Sequence, residues 1–161
     1  AIKTEEKILE KTIKILKIFP LIVIILFALG GFFLNFINGY EVANFAGTLA
    51  DSNPLKKEVF TVNGGWFRNY EKHSWMIIAP TLGFLGELLV LFFVKIKHFG
   101  KAFIASSIAI FGIIATVGLT LFPFILPSSL NPSASLLVWD ASSSYLALFV
   151  MLISAIIFGK I

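Results

Sequence analysis

Few side chains in this sequence could do chemistry, and each stands in an informative place. Glu87 interrupts the apolar run Ser74–Val94 and is the one charge inside any such run. A carboxyl there could relay a proton; the alternative is a neutral acid hydrogen-bonded to a neighbouring helix, since an unpaired charge in an apolar interior is costly. His73 and His98 flank the same run, 25 positions apart. On a helix rising about 1.5 Å per residue they lie more than about 35 Å apart, so they cannot share one metal ion. Trp139 and Asp140 precede the last apolar run. The indole suits a membrane–water interface, and the Asp140 carboxylate, or Ser142 after it, suits a helix N-cap. Cysteine is absent, which excludes a thiolate metal site, a disulfide framework and a cysteine nucleophile. No serine–histidine–acid arrangement, glycine-rich phosphate loop or paired-histidine motif occurs. The sequence therefore predicts no catalytic centre and no metal site on this chain.

The elements that must position these residues follow from composition. Of 161 residues, 58% are hydrophobic and 14% charged, with mean hydropathy +0.94. Soluble domains run at about 45–50% apolar and about 25% charged. Four apolar runs stand out, at 18–37, 74–94, 102–121 and 142–158. A bilayer core of about 30 Å takes about 20 helical residues, within a range of about 17–25, and a span in lipid must satisfy its own backbone. The expected fold class is thus all-α: a polytopic transmembrane helix bundle of four spans with long extracytoplasmic linkers. Residues 1–161 are read as a single membrane-embedded region. Nine of the 13 Lys and Arg residues fall before the first span, between the second and third, or after the fourth; Lys56, Lys57, Arg68 and Lys72 fall in the other linkers. The positive-inside rule makes the lysine-dense face cytoplasmic, so both ends of the chain lie inside. This distribution accounts for the net charge of +4, and no nucleic-acid partner is needed.

Residues 3–17 alternate lysines with Ile8, Leu9, Ile13 and Leu16 at near-helical spacing. They read as a cytoplasmic extension of the first span, lying partly at the headgroups, with Pro20 near a kink. Ala105, Ala109, Gly112, Thr116 and Thr120 form a small-residue stripe on the third span, and Gly30-Gly31 and Gly83/Gly86 point to similar close helix contacts. In the linkers, Asn53-Pro54 and Asn63-Gly64-Gly65 mark turns, while Pro123, Pro127 and Pro132 exclude a regular helix. Trp66, Tyr70 and Trp75 suit an interfacial aromatic belt. The 36-residue linker 38–73 is long for a structureless connection and is expected to fold back on the membrane surface.

These linkers carry a resemblance. The run Phe122–Ser144, FPFILPSSLNPSASLLVWDASSS, closely resembles the late segment of subunit II of cytochrome bd ubiquinol oxidases, and Ala50–Val59, ADSNPLKKEV, resembles an upstream outer segment of that subunit. Gly39-Tyr40 and Gly65-Trp66 are smaller matches in the same order. The resemblance implies a haem-free subunit of a terminal oxidase that oxidises quinol and reduces oxygen to water in a bacterial inner membrane. It implies haem b and haem d, with the quinol site, in a partner subunit I, and allows a structural quinone or lipid on this chain. Family members are longer. The chain begins at Ala1 without methionine and reads as the C-terminal half, expected to need the remaining N-terminal half, subunit I and membrane lipid to function. The resemblance supplies no motif for Glu87. Glu87, Trp139 and Asp140 are the candidate functional or interface residues, with none catalytic, cofactor-binding or metal-binding. Two other readings stay open: half of a membrane transporter with Glu87 as its proton-coupled site, and an assembly or scaffold membrane protein.

Overall fold

The computed structural model describes residues 6–44, 57–143 and 145–158, and the side chains of all of these except 6–10, 44 and 158. The Asn53-Pro54 turn, most of the Ala50–Val59 match, and Lys3, Lys56 and Lys160 lie outside the described residues. The chain forms two compact units, one from residues up to 39 with 62–121, the other from 40–61 with 122 onward.

The first unit is helical. Helix α1 (Glu6–Leu34) runs unbroken from the charged segment through the first span, with Pro20 inside it. Helix α2 (Arg68–Lys72) is short. A tight turn over Ser74–Ile77 leads into α3 (Ile78–Lys95), and α4 (Phe99–Leu121) follows after Lys97, which adopts a left-handed φ of 59°. The stretches Lys11–Leu34, Ser74–Lys95 and Phe99–Leu121 are 24, 22 and 23 residues long and apolar enough to cross a membrane. They match the first three expected spans.

Small residues hold α3 against α4. Ala79, Gly83, Gly86, Val90 and Val94 are buried on α3, and Ala102, Ala105, Ala109, Gly112 and Thr120 on α4. A Cβ at Gly86 would stand 2.7 Å from the Cα of Ala109, and one at Gly112 would collide with the backbone of Gly83. Lipid offers no hydrophobic drive between helices, so such close packing is what joins them. The small-residue stripe read from the third span is therefore a packing face. Gly30 and Gly31 differ from expectation: a Cβ at either would meet nothing within 4 Å. Helix α1 lies along the pair, with Ile13 and Leu16 against Val90, Val94, Ala102 and Ala105, and the Phe27 and Phe84 ring centroids 4.9 Å apart.

The second unit is where the expected linkers acquire strands. Strand β1 (Gly39–Asn44) pairs with β2 (Glu58–Val62), and β3 (Phe124–Leu126) pairs antiparallel with β4 (Leu136–Leu137). A single turn, α5 (Val138–Ala141), precedes α6 (Tyr145–Phe158). The fourth span was expected from Ser142. Ser142 instead closes α5 in an extended conformation (φ −74°, ψ 141°), and among the described residues α6 has 14 residues. That is about 21 Å of helix, short of the length the other three reach.

Candidate functional site

Three places in the described structure hold polar groups against apolar surroundings. The first is a cavity of about 670 Å³ in the helical unit, walled by α1 from Leu26 to Leu34, by Pro80 and Phe84 of α3, and by Thr116, Val117, Thr120 and Leu121 of α4. Gly30 and Gly31 line it, so the glycines expected to bring helices together leave space instead. Its polar edge comes from α2. The Tyr70 hydroxyl lies 2.8 Å from Thr120 Oγ1 and 3.4 Å from the Thr116 carbonyl. The neighbouring Asn69 Nδ2 donates to the Leu119 carbonyl at 2.9 Å. The last carbonyls of a helix have no partner within it, so α2 closes the end of α4 while presenting Tyr70 to the cavity. An apolar chain with one hydrogen-bonding head is the kind of molecule this wall accepts.

The second place is an ion pair in the strand-bearing unit. Lys57 Nζ meets Asp140 Oδ2, with the two side chains 5% and 6% exposed. The same oxygen accepts from the Leu137 backbone N–H at 3.1 Å. Asp140 thus does cap a helix start, but that of α5; the expectation that it or Ser142 caps the fourth span is corrected. Ser142 Oγ donates to the Trp139 carbonyl, 3.2 Å away, and the Trp139 ring meets Phe122 edge-on at 5.8 Å. Val59 N–H reaches Ser133 Oγ at 3.5 Å, and Ser128 N–H donates to the fully buried Ser135 at 2.9 Å. The ion pair went unseen in the sequence because its partners are 83 positions apart and Lys57 counted only as one of the four cations of the other linkers.

The third place is Glu87, buried at 8% exposure on the packed face of α3. No hydrogen bond to its carboxyl is present among the described residues. His73 and His98 lie exposed beyond opposite ends of α3, so the structure does not bring them together. Among the described residues no three of His, Cys, Asp and Glu cluster to hold a metal ion. Trp75 is 60% exposed, as an interfacial aromatic would be, whereas Trp66 is 6% exposed. Gly39 packs against the Gly65–Trp66 backbone, where a Cβ would stand 2.5 Å from the Trp66 nitrogen. The two short glycine-aromatic matches are therefore one contact.

Comparison with known proteins agrees with this architecture. The family model for cytochrome bd terminal oxidase subunit II matches residues 1–161. A probable cytochrome oxidase subunit 2 of Haemophilus influenzae is 37% identical over 156 residues, which are 97% of this chain and 41% of that protein. The cytochrome bd-I ubiquinol oxidase subunit 2 of Escherichia coli K12 is 39% identical over 132 residues, 81% of this chain and 35% of that protein. The chain spans about two fifths of the length of these curated relatives.

Proposed function

The chain belongs to the cytochrome bd terminal oxidase subunit II family, and from that premise we propose that it forms a haem-free, helical part of a quinol:oxygen oxidoreductase. The observation that carries the reading is a family match over the whole chain, alongside a relative named as a ubiquinol oxidase subunit. In this reading haem b and haem d sit in the partner subunit I, where they supply the electron transfer and oxygen reduction. His73 and His98, at opposite ends of α3, cannot jointly ligate one iron, which supports assigning the haems elsewhere.

The work left to this chain is support and occupancy. The small-residue seam of α3 and α4 makes a rigid pair, and the Lys57–Asp140 contact ties the residue preceding β2 to α5. The cavity beside α1 suits a structural quinone or lipid: its walls take an isoprenoid or acyl chain, and Tyr70 with Thr120 offers a hydrogen bond to a carbonyl or headgroup. The chain resides in a membrane; the bacterial cytoplasmic membrane, with the lysine-dense ends inside, is the placement proposed. Its partners are subunit I, the rest of subunit II, and quinol at the level of the complex.

The test is purification of the complex from native membranes through a tag on this subunit. A haem-bearing partner and reduced-minus-oxidised bands of haem b and haem d are expected. A preparation whose partner set contains no haem protein would overturn the oxidase reading. Solvent extraction of the same preparation should release quinone or phospholipid, and Gly30→Phe, which fills the cavity, should reduce that yield.

A further inference from the structure

We propose that the tip of the β3–β4 hairpin, from Ile125 to Leu130, is an interfacial anchor that seats in the lipid of the bilayer surface where α4 ends. The anchor needs only that α4 crosses a membrane, and it stands whether or not the oxidase reading does. Phe122 follows Leu121, the last residue of α4, so the segment starts where that long apolar helix leaves the hydrocarbon. From Phe122 to Trp139 it carries no ionisable residue. The next one, Asp140, is held by Lys57. Charge is tolerated in a loop that stands in water and costly in one that lies on hydrocarbon, so this long uncharged stretch suits the second setting.

The hairpin turns its polar atoms inward and its apolar side chains outward. Ser128 N–H donates to the buried Ser135 Oγ at 2.9 Å, and Asn131 N–H to Ser128 Oγ at 3.3 Å. Ser133 N–H donates to Asn131 Oδ1 at 3.1 Å. The Ala134 and Ser135 N–H groups reach the Asn131 and Pro132 carbonyls at 2.9 and 3.0 Å, and Pro127 and Pro132 have no N–H to satisfy. A loop in water has solvent for these donors, whereas one in lipid must satisfy them itself. Phe124 and Leu137 fill the inside of the hairpin, with the Tyr40 ring 5.9 Å from that of Phe124. Strand alternation would turn Leu126 inward with Phe124. The ladder is irregular between the two, and Leu126 stays 67% exposed, beside an exposed Ile125 and a Leu130 that is 98% exposed.

Lipid fits this tip better than a protein partner does. Protein interfaces gather their binding energy at aromatic and arginine anchors set among polar groups. The tip offers aliphatic side chains and no cation, and its backbone donors are largely spent within the loop. Aliphatic side chains that project from a satisfied backbone can enter fluid acyl chains without a matching pocket. Phe122 and Trp139, paired edge-on at the base of the hairpin, suit the headgroup level, where aromatic belts lie. Helix α6, in the same unit, is also largely exposed and apolar, which makes the anchor continuous with a surface that already calls for lipid. Under the lysine asymmetry the leaflet is the outer one.

Nitroxide spin labels on single cysteines test this in the complete complex, reconstituted in bilayers of its native lipids, with the unsubstituted complex treated in parallel as background. Leu130→Cys and Leu126→Cys carry the label at the tip. Their side chains are exposed, so the substitutions disturb little packing. Ile114→Cys, on the exposed face of α4, gives the lipid reference, and His98→Cys gives the aqueous one. Collision with molecular oxygen, which concentrates in acyl chains, is compared with collision with a water-soluble nickel chelate. The oxygen-to-nickel ratio at both tip positions should exceed that at His98→Cys several-fold and approach that at Ile114→Cys. A ratio equal to that at His98→Cys puts the tip in water and overturns the anchor. An immobilised label shielded from both reagents means that a protein covers the tip, and overturns it equally.

Discussion

One oxygen of Asp140 answers both an ammonium and a backbone N–H, and this double use makes the residue hard to replace. Removing one partner of a buried ion pair leaves the other charged and alone, at about 3–5 kcal/mol. Asp140→Asn and Lys57→Met are each expected to lower the melting temperature of the detergent-solubilised protein by several degrees. The double variant Lys57→Met/Asp140→Leu should recover much of that loss, because no buried charge is left unpaired. A double variant as unstable as the sum of the singles would argue against a paired contact. Glycine offers a second contrast at this scale. Gly39→Ala puts a Cβ 2.5 Å from backbone that cannot yield. Gly64→Ala meets no atom but must hold a φ of 68°, a strain of about 1–2 kcal/mol. Thermal unfolding should therefore rank Gly39→Ala as the more damaging.

Helices α3 and α4 depend on how near their backbones can come. Ala109 is fully buried against Gly86, whereas Ile114 on the same helix is 66% exposed. Ala109→Leu is expected to force the pair apart and lower the yield of folded subunit, and Ile114→Leu to leave it unchanged; equal yields would contradict the packing. The link between α2 and α4 is finer. Tyr70→Phe removes the hydroxyl bonded to Thr120, worth about 1 kcal/mol, and should also weaken retention of any molecule extracted from the cavity. Helix α6 belongs to the second unit. Its described residues are apolar on nearly every face and mostly exposed, which suits a helix surrounded by lipid or by other membrane helices. A helix shorter than the hydrocarbon thickness is accommodated by local thinning or by association with neighbours, at modest cost.

Over the whole chain, the lysine asymmetry and the positions of His73 and His98 lead to a topological prediction. The chain has no cysteine, so single cysteines report without background from it. A membrane-impermeant maleimide should label His98→Cys from the cytoplasmic side and His73→Cys from the opposite side. Labelling of both from one side would undo the expected span between them. Membrane residence and the three long helices were legible in the sequence because bilayer partition responds to composition summed over about 20 consecutive residues. The α4 stripe was legible because helical periodicity puts small residues on one face. What only the tertiary structure decided was set by non-local packing. The partner of Asp140 comes from 83 residues away, and Gly39, distant in sequence, meets the Gly65–Trp66 backbone. Gly30 and Gly31 face a cavity that three other segments enclose, and Ser142 ends one helix instead of starting the next. The burial of Glu87 belongs to the same class: the run around it predicted a helix, but only the packing of α3 determined which of its faces is covered.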